Sequence, residues 1–343
     1  MSRFDSRLAM LGWDMTFEAK YEEAALPREV PARVLADFGA DYQVHDGAGA
    51  RRAVARHVDP TVGDWVGIEG DAIGSIVERR TVFSRQSPGT ETKRQVLAAN
   101  IDIAFVVAAA TDINARRIER YLTIAWQSGA APVVVLTKSD LAAAPDEMRE
   151  DLEAVATGTP VVITSSVSGV GVAEIAQHLQ PALTGVLLGP SGVGKSTLIN
   201  RIVGEDVMRT RDIHASSGEG RHMTSHRQLI VLPGGGMIID TPGLREAQLW
   251  DGEDALGGVF EDIEELALRC RFNDCTHMTE PGCAIKSAIA AGGLDRGRLE
   301  SYRKLQRELR SIAARSDARL QADERRKWKQ IAVANRARER YLR

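Results

Sequence analysis

The chain has 343 residues, of which 43% are hydrophobic and 27% charged, and a formal net charge of −3. That length predicts two or three domains with ordinary buried cores, and that charge gives the whole chain no nucleic-acid signature. No run approaches the roughly 18 apolar residues of a membrane span, and the opening MSRFDSRLAMLGWDM has scattered charges in place of an apolar signal-peptide centre, so a cytoplasmic protein with no membrane partner is expected.

In chain order, residues 1–32 read as helix and then an irregular extension. Residues 33–88 hold five short β-prone pieces (RVLADFG, DYQVHDG, RRAVARHV, DWVGIEG and AIGSIVERR) separated by Gly and Asp, the pattern of a small β-barrel. Basic and acidic residues roughly balance there, so charge does not separate a nucleic-acid-binding barrel from one that packs on its neighbour. The polar stretch SRQSPGTETKRQ, 84–95, reads as a linker.

From 89 to 250, apolar runs alternate with amphipathic stretches: strands IDIAFVVAAA, APVVVLTK, PVVITSS and TGVLLG, with helices NARRIERYLTIAWQSG, PDEMREDLEAVAT and VGVAEIAQHL between them. Short apolar runs without alternation belong to parallel strands buried on both faces, so this segment is a doubly wound α/β domain. A polar loop over 204–226 precedes RQLIVLPGGGMIIDTPG, which reads as a hairpin. Residues 251–300 are helical around a cysteine cluster. The helical tail, 301–343, ends with eight basic residues (Arg325, Arg326, Lys327, Lys329, Arg336, Arg338, Arg340 and Arg343) against the single acid Glu339. Such a tail suits an anionic partner or a solvated helix end equally.

Four groups of residues carry chemistry. GPSGVGKST (Gly189, Pro190, Ser191, Gly192, Val193, Gly194, Lys195, Ser196, Thr197) follows a predicted strand and opens a predicted helix, which is the setting of a phosphate-binding loop. Its glycines turn backbone N–H groups inward, Lys195 neutralises the β/γ oxygens, and the Ser196 hydroxyl suits Mg²⁺. Asp240, at the end of MIID and 44 residues beyond Ser196, is a second Mg²⁺-side ligand, and the Gly243 N–H is placed to sense a γ-phosphate. The loop alone suits a P-loop nucleoside-monophosphate kinase as well. TKSD (Thr137, Lys138, Ser139, Asp140) supplies selectivity. A carboxylate at Asp140 accepts from the guanine ring N–H and amine, which adenine cannot supply, for about 2–4 kcal/mol of discrimination. The Lys138 stem lies along the base, and the strand end TSS, with Ser165 and Ser166, offers a backbone N–H to the guanine oxygen. Thr137 stands where Asn is commonest, and its single hydroxyl predicts weaker guanine binding.

All three cysteines fall within 14 residues, as Cys270, Cys275 and Cys283, with His277 among them: Cys-x4-Cys-x-His-x5-Cys. Three thiolates and one imidazole form a closed tetrahedral site for one structural Zn²⁺.

The order along the chain is base loop, second base loop, phosphate loop, switch, Mg²⁺ loop. With VGDWV at 62–66, GPSGVGKSTLIN, DTPG and the cysteine cluster, the chain resembles the circularly permuted, ribosome small-subunit-dependent GTPase A family (the RsgA or YjeQ type) over about residues 30–310. The resemblance implies an N-terminal OB-type barrel, a central circularly permuted P-loop GTPase domain and a C-terminal helical zinc-binding domain. It implies GTP hydrolysis with Mg²⁺, the small (30S) ribosomal subunit and its rRNA as partners late in subunit maturation, and release on hydrolysis; a monomer is expected. From the motif GRHMTSH it carries over Thr224 as a further Mg²⁺ ligand and His222 as a group that positions water or holds the switch. Met223 departs from the family pattern, and Leu244 cannot orient water as the Gln common at that position does. The rival readings are a GTP-dependent switch for a protein partner without RNA, and the kinase.

Overall fold

The computed structural model describes residues 6–86, 94–204, 227–240, 254–278 and 280–312. The chain divides into two units, Met1–Gln248 and Leu249–Arg343.

The first unit starts with helices α1 (Ser6–Ala9) and α2 (Met15–Ala24). Asp14 caps α2 by accepting the amides of Thr16 and Phe17. Trp13 and Phe17 are buried and meet the buried Trp65, with the Trp13 and Trp65 rings edge-to-face at 4.7 Å. The opening segment is therefore docked on the barrel by aromatic packing.

The barrel has the five expected strands: β1 (Val30–Asp37), β2 (Tyr42–His45), β3 (Ala50–Ala55), β4 (Trp65–Glu69) and β5 (Ala72–Ile76). Their order, β1-β2-β3-β5-β4, closes through pairing of β1 with β4. Ala32, Val34, Val44, Ala53, Val66, Ile68 and Ile73 fill the interior, small residues interleaved with β-branched ones as a narrow barrel requires. The edge of β1 away from β2 is divided. Residues from Val30 to Arg33 pair with β4, and Ala36 and Asp37 pair with β12 (Arg227–Val231). A register shift between Val34 and Ala36 marks the change of partner.

The polar stretch 84–95 expected as a linker begins and ends inside strands, because Ser84, Arg85 and Gln86 pair with Val96, Gln95 and Arg94 across a two-stranded ladder. β6 (Val82–Gln86) and β7 (Arg94–Ala99) pair antiparallel as a separate two-stranded sheet, and residues 87–93 lie outside the described ones. Phe83 and Leu97 face inward and are buried, which a reading by polarity alone misses.

The α/β sheet takes β8 (Ile103–Ala109), β9 (Ala131–Thr137), β10 (Val161–Ile163), β11 (Thr184–Leu188), β12 and β13 (Met237–Asp240) in the order β10-β9-β8-β11-β13-β12. The first five are parallel, and β12 is antiparallel to β13. Helices α3 (Ala115–Ser128), α4 (Pro145–Val155), α5 (Val172–His178) and α6 (Lys195–Val203) connect them. α3 shows why these residues form a helix. Asn114 caps its start, Ile118, Leu122 and Ala125 make one buried stripe, and Gly129 ends it in the left-handed region. Phe105, Val107, Val133, Val135, Leu198 and Ile238 belong to the apolar core around the sheet. From β8 the sheet grows one way through β9 and β10. From β11 it grows the other way through β13. The reversal between β8 and β11 is where an open α/β sheet presents a binding crevice.

The second unit has α7 (Asp254–Gly257), α8 (Glu261–Ala267), α9 (Ala284–Ala290) and a helical run over 296–312. Its centre is the buried Phe260, which meets Tyr302 at 5.4 Å and lies under the Arg298 guanidinium. Arg298 grips both oxygens of Asp262 at 2.8 and 2.9 Å and the Val259 carbonyl at 2.7 Å, so its charge is paired where it is buried. Among the described residues, no helix is long and apolar enough to cross a membrane.

Candidate functional site

The selected residues of the first unit lie at the C-terminal ends of its parallel strands. β11 runs into residues 189–194 and then α6. A Cβ on Gly189 would sit 2.6 Å from the Val107 carbonyl oxygen, so only glycine lets this loop cross the end of β8. Gly194 caps α6 at φ +99° with no side chain bonded to the helix start, which leaves the first-turn N–H groups for an anion. Lys195 Nζ donates to the carbonyls of Gly189 at 2.7 Å and Pro190 at 2.5 Å, so the ammonium is held within the arch of the loop. Ser191, Gly192, Ser196 and Thr197 are exposed along it, and Val193 is buried beneath.

The base loop is fastened to this arch. Thr137, the last residue of β9, is buried, and its hydroxyl lies 2.5 Å from the Val193 carbonyl oxygen and 3.1 Å from that of Ala108. One hydroxyl proton serves one of these acceptors at a time, and Val193 is the nearer. Lys138, at φ +58°, donates from Nζ to the Gly192 carbonyl at 2.8 Å. Ser139–Leu141 forms a single 3₁₀ turn that presents an exposed Asp140. The buried Ser165 donates its hydroxyl to Asp140 Oδ1 at 2.5 Å, so the second loop orients the carboxylate. The Ser165 amide is bonded to the Val170 carbonyl at 3.0 Å, while Ser166 is half-buried beside it.

Asp240 ends β13, half-buried. β13 is parallel to β11 and next to it, so Asp240 emerges on the same side of the sheet as the phosphate loop. The Ser196 hydroxyl and the Asp240 carboxylate are hard oxygen donors of the kind Mg²⁺ takes. His222, Thr224, Gly243 and Leu244 lie outside the described residues.

In the second unit Cys270, Cys275, His277 and Cys283 converge, their ligand atoms all within 4.8 Å of one another. A zinc tetrahedron with ordinary bond lengths has S···S edges of about 3.8 Å and S···N edges of about 3.5 Å. Here Cys270 and Cys283 Sγ are 3.9 Å apart, and His277 Nδ1 lies 3.6 and 3.5 Å from them. The donor set therefore fits one tetrahedral Zn²⁺. Desolvation opposes ionisation of Cys270, yet N–H groups of Ala284 and Ile285 at the start of α9 and the neighbouring thiols together bring it below the ordinary thiol range. Arg303 ties down the loop by donating to the carbonyls of Thr276 at 3.1 Å and His277 at 2.5 Å.

One organising residue has no motif. Arg33, on β1, is buried and donates to the Leu11 carbonyl, to the Asn100 carbonyl at 3.1 Å and to Thr184 Oγ1 at 2.8 Å. Desolvation pushes its pKa down to about 10, with Asp102 opposing the shift. It ties the opening segment, the barrel and the first residue of β11 together. The only hint in the sequence is an Arg within the apolar run RVLAD.

A family model described as RsgA GTPase matches residues 76–250. A second, described as a 50S ribosome-binding GTPase, matches 184–319, starting at β11. The chain is 43% identical to the small ribosomal subunit biogenesis GTPase RsgA of Streptomyces avermitilis, over 96% of this chain and 93% of the relative. It is 42% identical to the protein of the same name from Opitutus terrae, over 97% and 98%. Among solved structures it resembles YjeQ from Thermotoga maritima (TM-score 0.62, 25% identity, 82% of this chain and 98% of that one). It also resembles YloQ, described as a circularly permuted GTPase (TM-score 0.60, 25% identity, 83% and 96%). On these matches, the chain belongs to the RsgA family of GTPases.

Proposed function

We propose that this GTPase binds the small ribosomal subunit and its rRNA late in subunit maturation, in the cytoplasm and as a monomer, and that hydrolysis releases it. The relatives' shared name, small ribosomal subunit biogenesis GTPase, supports the partner. The basic residues of the tail suit rRNA phosphates. The observation that carries the nucleotide reading is the joining of the two loops: Thr137 and Lys138 bond to the carbonyls of Val193 and Gly192. Base reader and phosphate cradle then form one pocket despite their order in the chain.

In that pocket Asp140 accepts from the guanine ring N–H and amine, with Ser165 holding its other face. The Ser165 amide is already engaged, so the Ser166 amide is the donor for the guanine oxygen. The loop amides and the α6 start receive the phosphates, and Lys195 leaves its own carbonyls for the β/γ oxygens. Ser196, Asp240 and Thr224 would hold Mg²⁺, which offsets charge developing on the phosphates. Gly243 senses the γ-phosphate and His222 positions the attacking water, Leu244 having no group for that task.

The test is phosphate release from GTP and from ATP, with and without purified small subunits, together with co-sedimentation at rising salt. Stimulation by small subunits, restricted to GTP, is expected, as is salt-sensitive binding of the triphosphate form. Equal rates with and without subunits would refute the ribosomal assignment, and equal use of ATP would refute the base reader.

A further inference from the structure

We propose that Asp37 and Arg227 are positioning residues for the GTPase reaction, a side-chain clasp that anchors strand β12 to the barrel and so holds Asp240 in place. The inference rests on the reading of Asp240 as a ligand on the Mg²⁺ side.

β12 lies between two partners. On one edge four of its residues pair with β13, Gln228 opposite Asp240. On the other edge only its first two residues pair, Arg227 opposite Asp37 and Gln228 opposite Ala36 of β1. Gln228 is therefore held from both sides in the row that contains Asp240. The row continues through Ala36 to Gln43 on β2 and Arg52 on β3. A backbone-paired line thus runs from the candidate Mg²⁺ carboxylate to an exposed strand of the barrel.

A two-residue ladder is a weak joint, and side chains reinforce it. Arg227 Nη1 lies 3.6 Å from Asp37 Oδ2, with the two side chains 16% and 19% exposed. Arg227 Nη1 also donates to the Val96 carbonyl of β7 at 3.3 Å. Asp37 is held in turn, because its Oδ1 accepts the Gly39 amide at 2.8 Å and leaves Oδ2 for the arginine. Each carboxylate oxygen has its own task. β12 and β13 pair over four consecutive residues with Gln228 opposite Asp240, so displacement at the start of β12 carries the end of β13 with it. Loss of the clasp frees the end of the hairpin at which Asp240 sits, while the phosphate loop and base loop, held by β8, β9 and β11, stay as they are.

The experiment compares wild type with Asp37→Asn, Arg227→Gln, both together, and Asp240→Asn. Asp37→Asn keeps an acceptor for the Gly39 amide and removes the charge. The readout is equilibrium binding of a fluorescent, non-hydrolysable GTP analogue titrated with Mg²⁺. Binding of fluorescent GDP in EDTA reports whether the rest of the pocket is intact. Each clasp variant is expected to raise the half-saturating Mg²⁺ concentration about two- to fivefold, as loss of a half-buried ion pair would. The double variant is expected to be no worse than the stronger single one, and GDP binding in EDTA to stay within about twofold of wild type. Arg227→Lys, retaining the charge, is expected to fall nearer wild type than Arg227→Gln. Should Asp240→Asn shift the Mg²⁺ dependence while the clasp variants do not, the clasp is refuted and the reading of Asp240 stands. Should Asp240→Asn leave it unshifted, the reading of Asp240 falls and the clasp with it. Single effects that multiply in the double variant would show two independent residues and also overturn the proposal.

Discussion

Replacing Thr137 by Val removes one hydroxyl and keeps the β-branched shape that suits the end of β9. The hydroxyl lies 2.5 Å from the Val193 carbonyl, and both residues are buried. A buried hydrogen bond is worth about 1 kcal/mol net, and the carbonyl left without a donor raises the cost of the change to about 1–2 kcal/mol. If that cost falls on the shape of the phosphate loop, nucleotide affinity drops about five- to thirtyfold. The loss has a signature. The hydroxyl faces a loop carbonyl and not the base, so GDP and IDP, which lacks the exocyclic amine, are expected to weaken equally. Asp140→Asn is the contrast: its amide cannot accept both base hydrogens, and the preference for GDP over IDP is expected to narrow. Fluorescence titration of both nucleotides against wild type and the two variants separates the roles. A Thr137→Val protein that binds GDP within twofold of wild type would refute the loop-to-loop clamp. One that loses GDP but not IDP would return Thr137 to the base.

Lys195→Ala removes an ammonium held by two carbonyls at the centre of the cradle. It is expected to weaken GTP and GDP by about a hundredfold or more, measured by the same titration, because charge-assisted bonds to phosphate are among the strongest the pocket makes. Stripping metal with a chelator is expected to release one zinc per chain and to unfold the second unit while GDP binding survives. A cysteine cluster that releases no zinc, with the second unit still folded, would refute the metal assignment. Arg33→Met leaves the Leu11 and Asn100 carbonyls and the Thr184 hydroxyl without their shared donor. A loss of about 2–4 kcal/mol of stability is expected in urea unfolding, and an unchanged midpoint would show that desolvation of the guanidinium had cancelled its bonds.

What the sequence disclosed follows from how local each feature is. The strand–loop–helix setting of residues 184–203 was legible because its glycines, Lys195 and Ser196 lie in one short run, where spacing alone fixes the backbone. The cysteine cluster was legible for the same reason, its four donors being neighbours along the chain. Asp140 is legible as a carboxylate after a strand, but the sequence marks its partner Ser165 only as a base-facing residue. That Ser165 spends its hydroxyl on Asp140 and its amide on Val170 depends on how β9 and β10 pair. The residue type at Thr137 predicts a poorer base contact, because an Asn there has two polar ends. Its hydroxyl instead turns to the loop, a direction that the type of residue does not encode. The joining of β1 to β12 links residues about two hundred positions apart, and no local periodicity reports it. Arg33 carries no local signal because three of its acceptors come from three separate segments.

The swapped order of the loops is explained by the sheet. A nucleotide pocket of this kind needs the phosphate loop at the reversal point, base-reading loops on one side of it and the metal-side carboxylate on the other. The order β10-β9-β8-β11-β13 provides this whichever strand comes first, since each loop is placed by the strand before it and by that strand's neighbours. In this chain the link from β10 through α5 to β11 passes β9 and β8 to reach the reversal point, and β11 then pairs with β8 over four residues. The consequence is local to the far side. The strand that follows the phosphate-loop helix is β12, at the end of the α/β sheet, and barrel strand β1 is there to cover its open edge. An exposed strand edge invites pairing with other chains, and here the barrel occupies its start. The barrel thereby gains backbone contact with the strand that faces Asp240. On the proposed role of Asp240, a partner that deforms β1 is expected to shift the Mg²⁺ dependence of nucleotide binding without touching nucleotide.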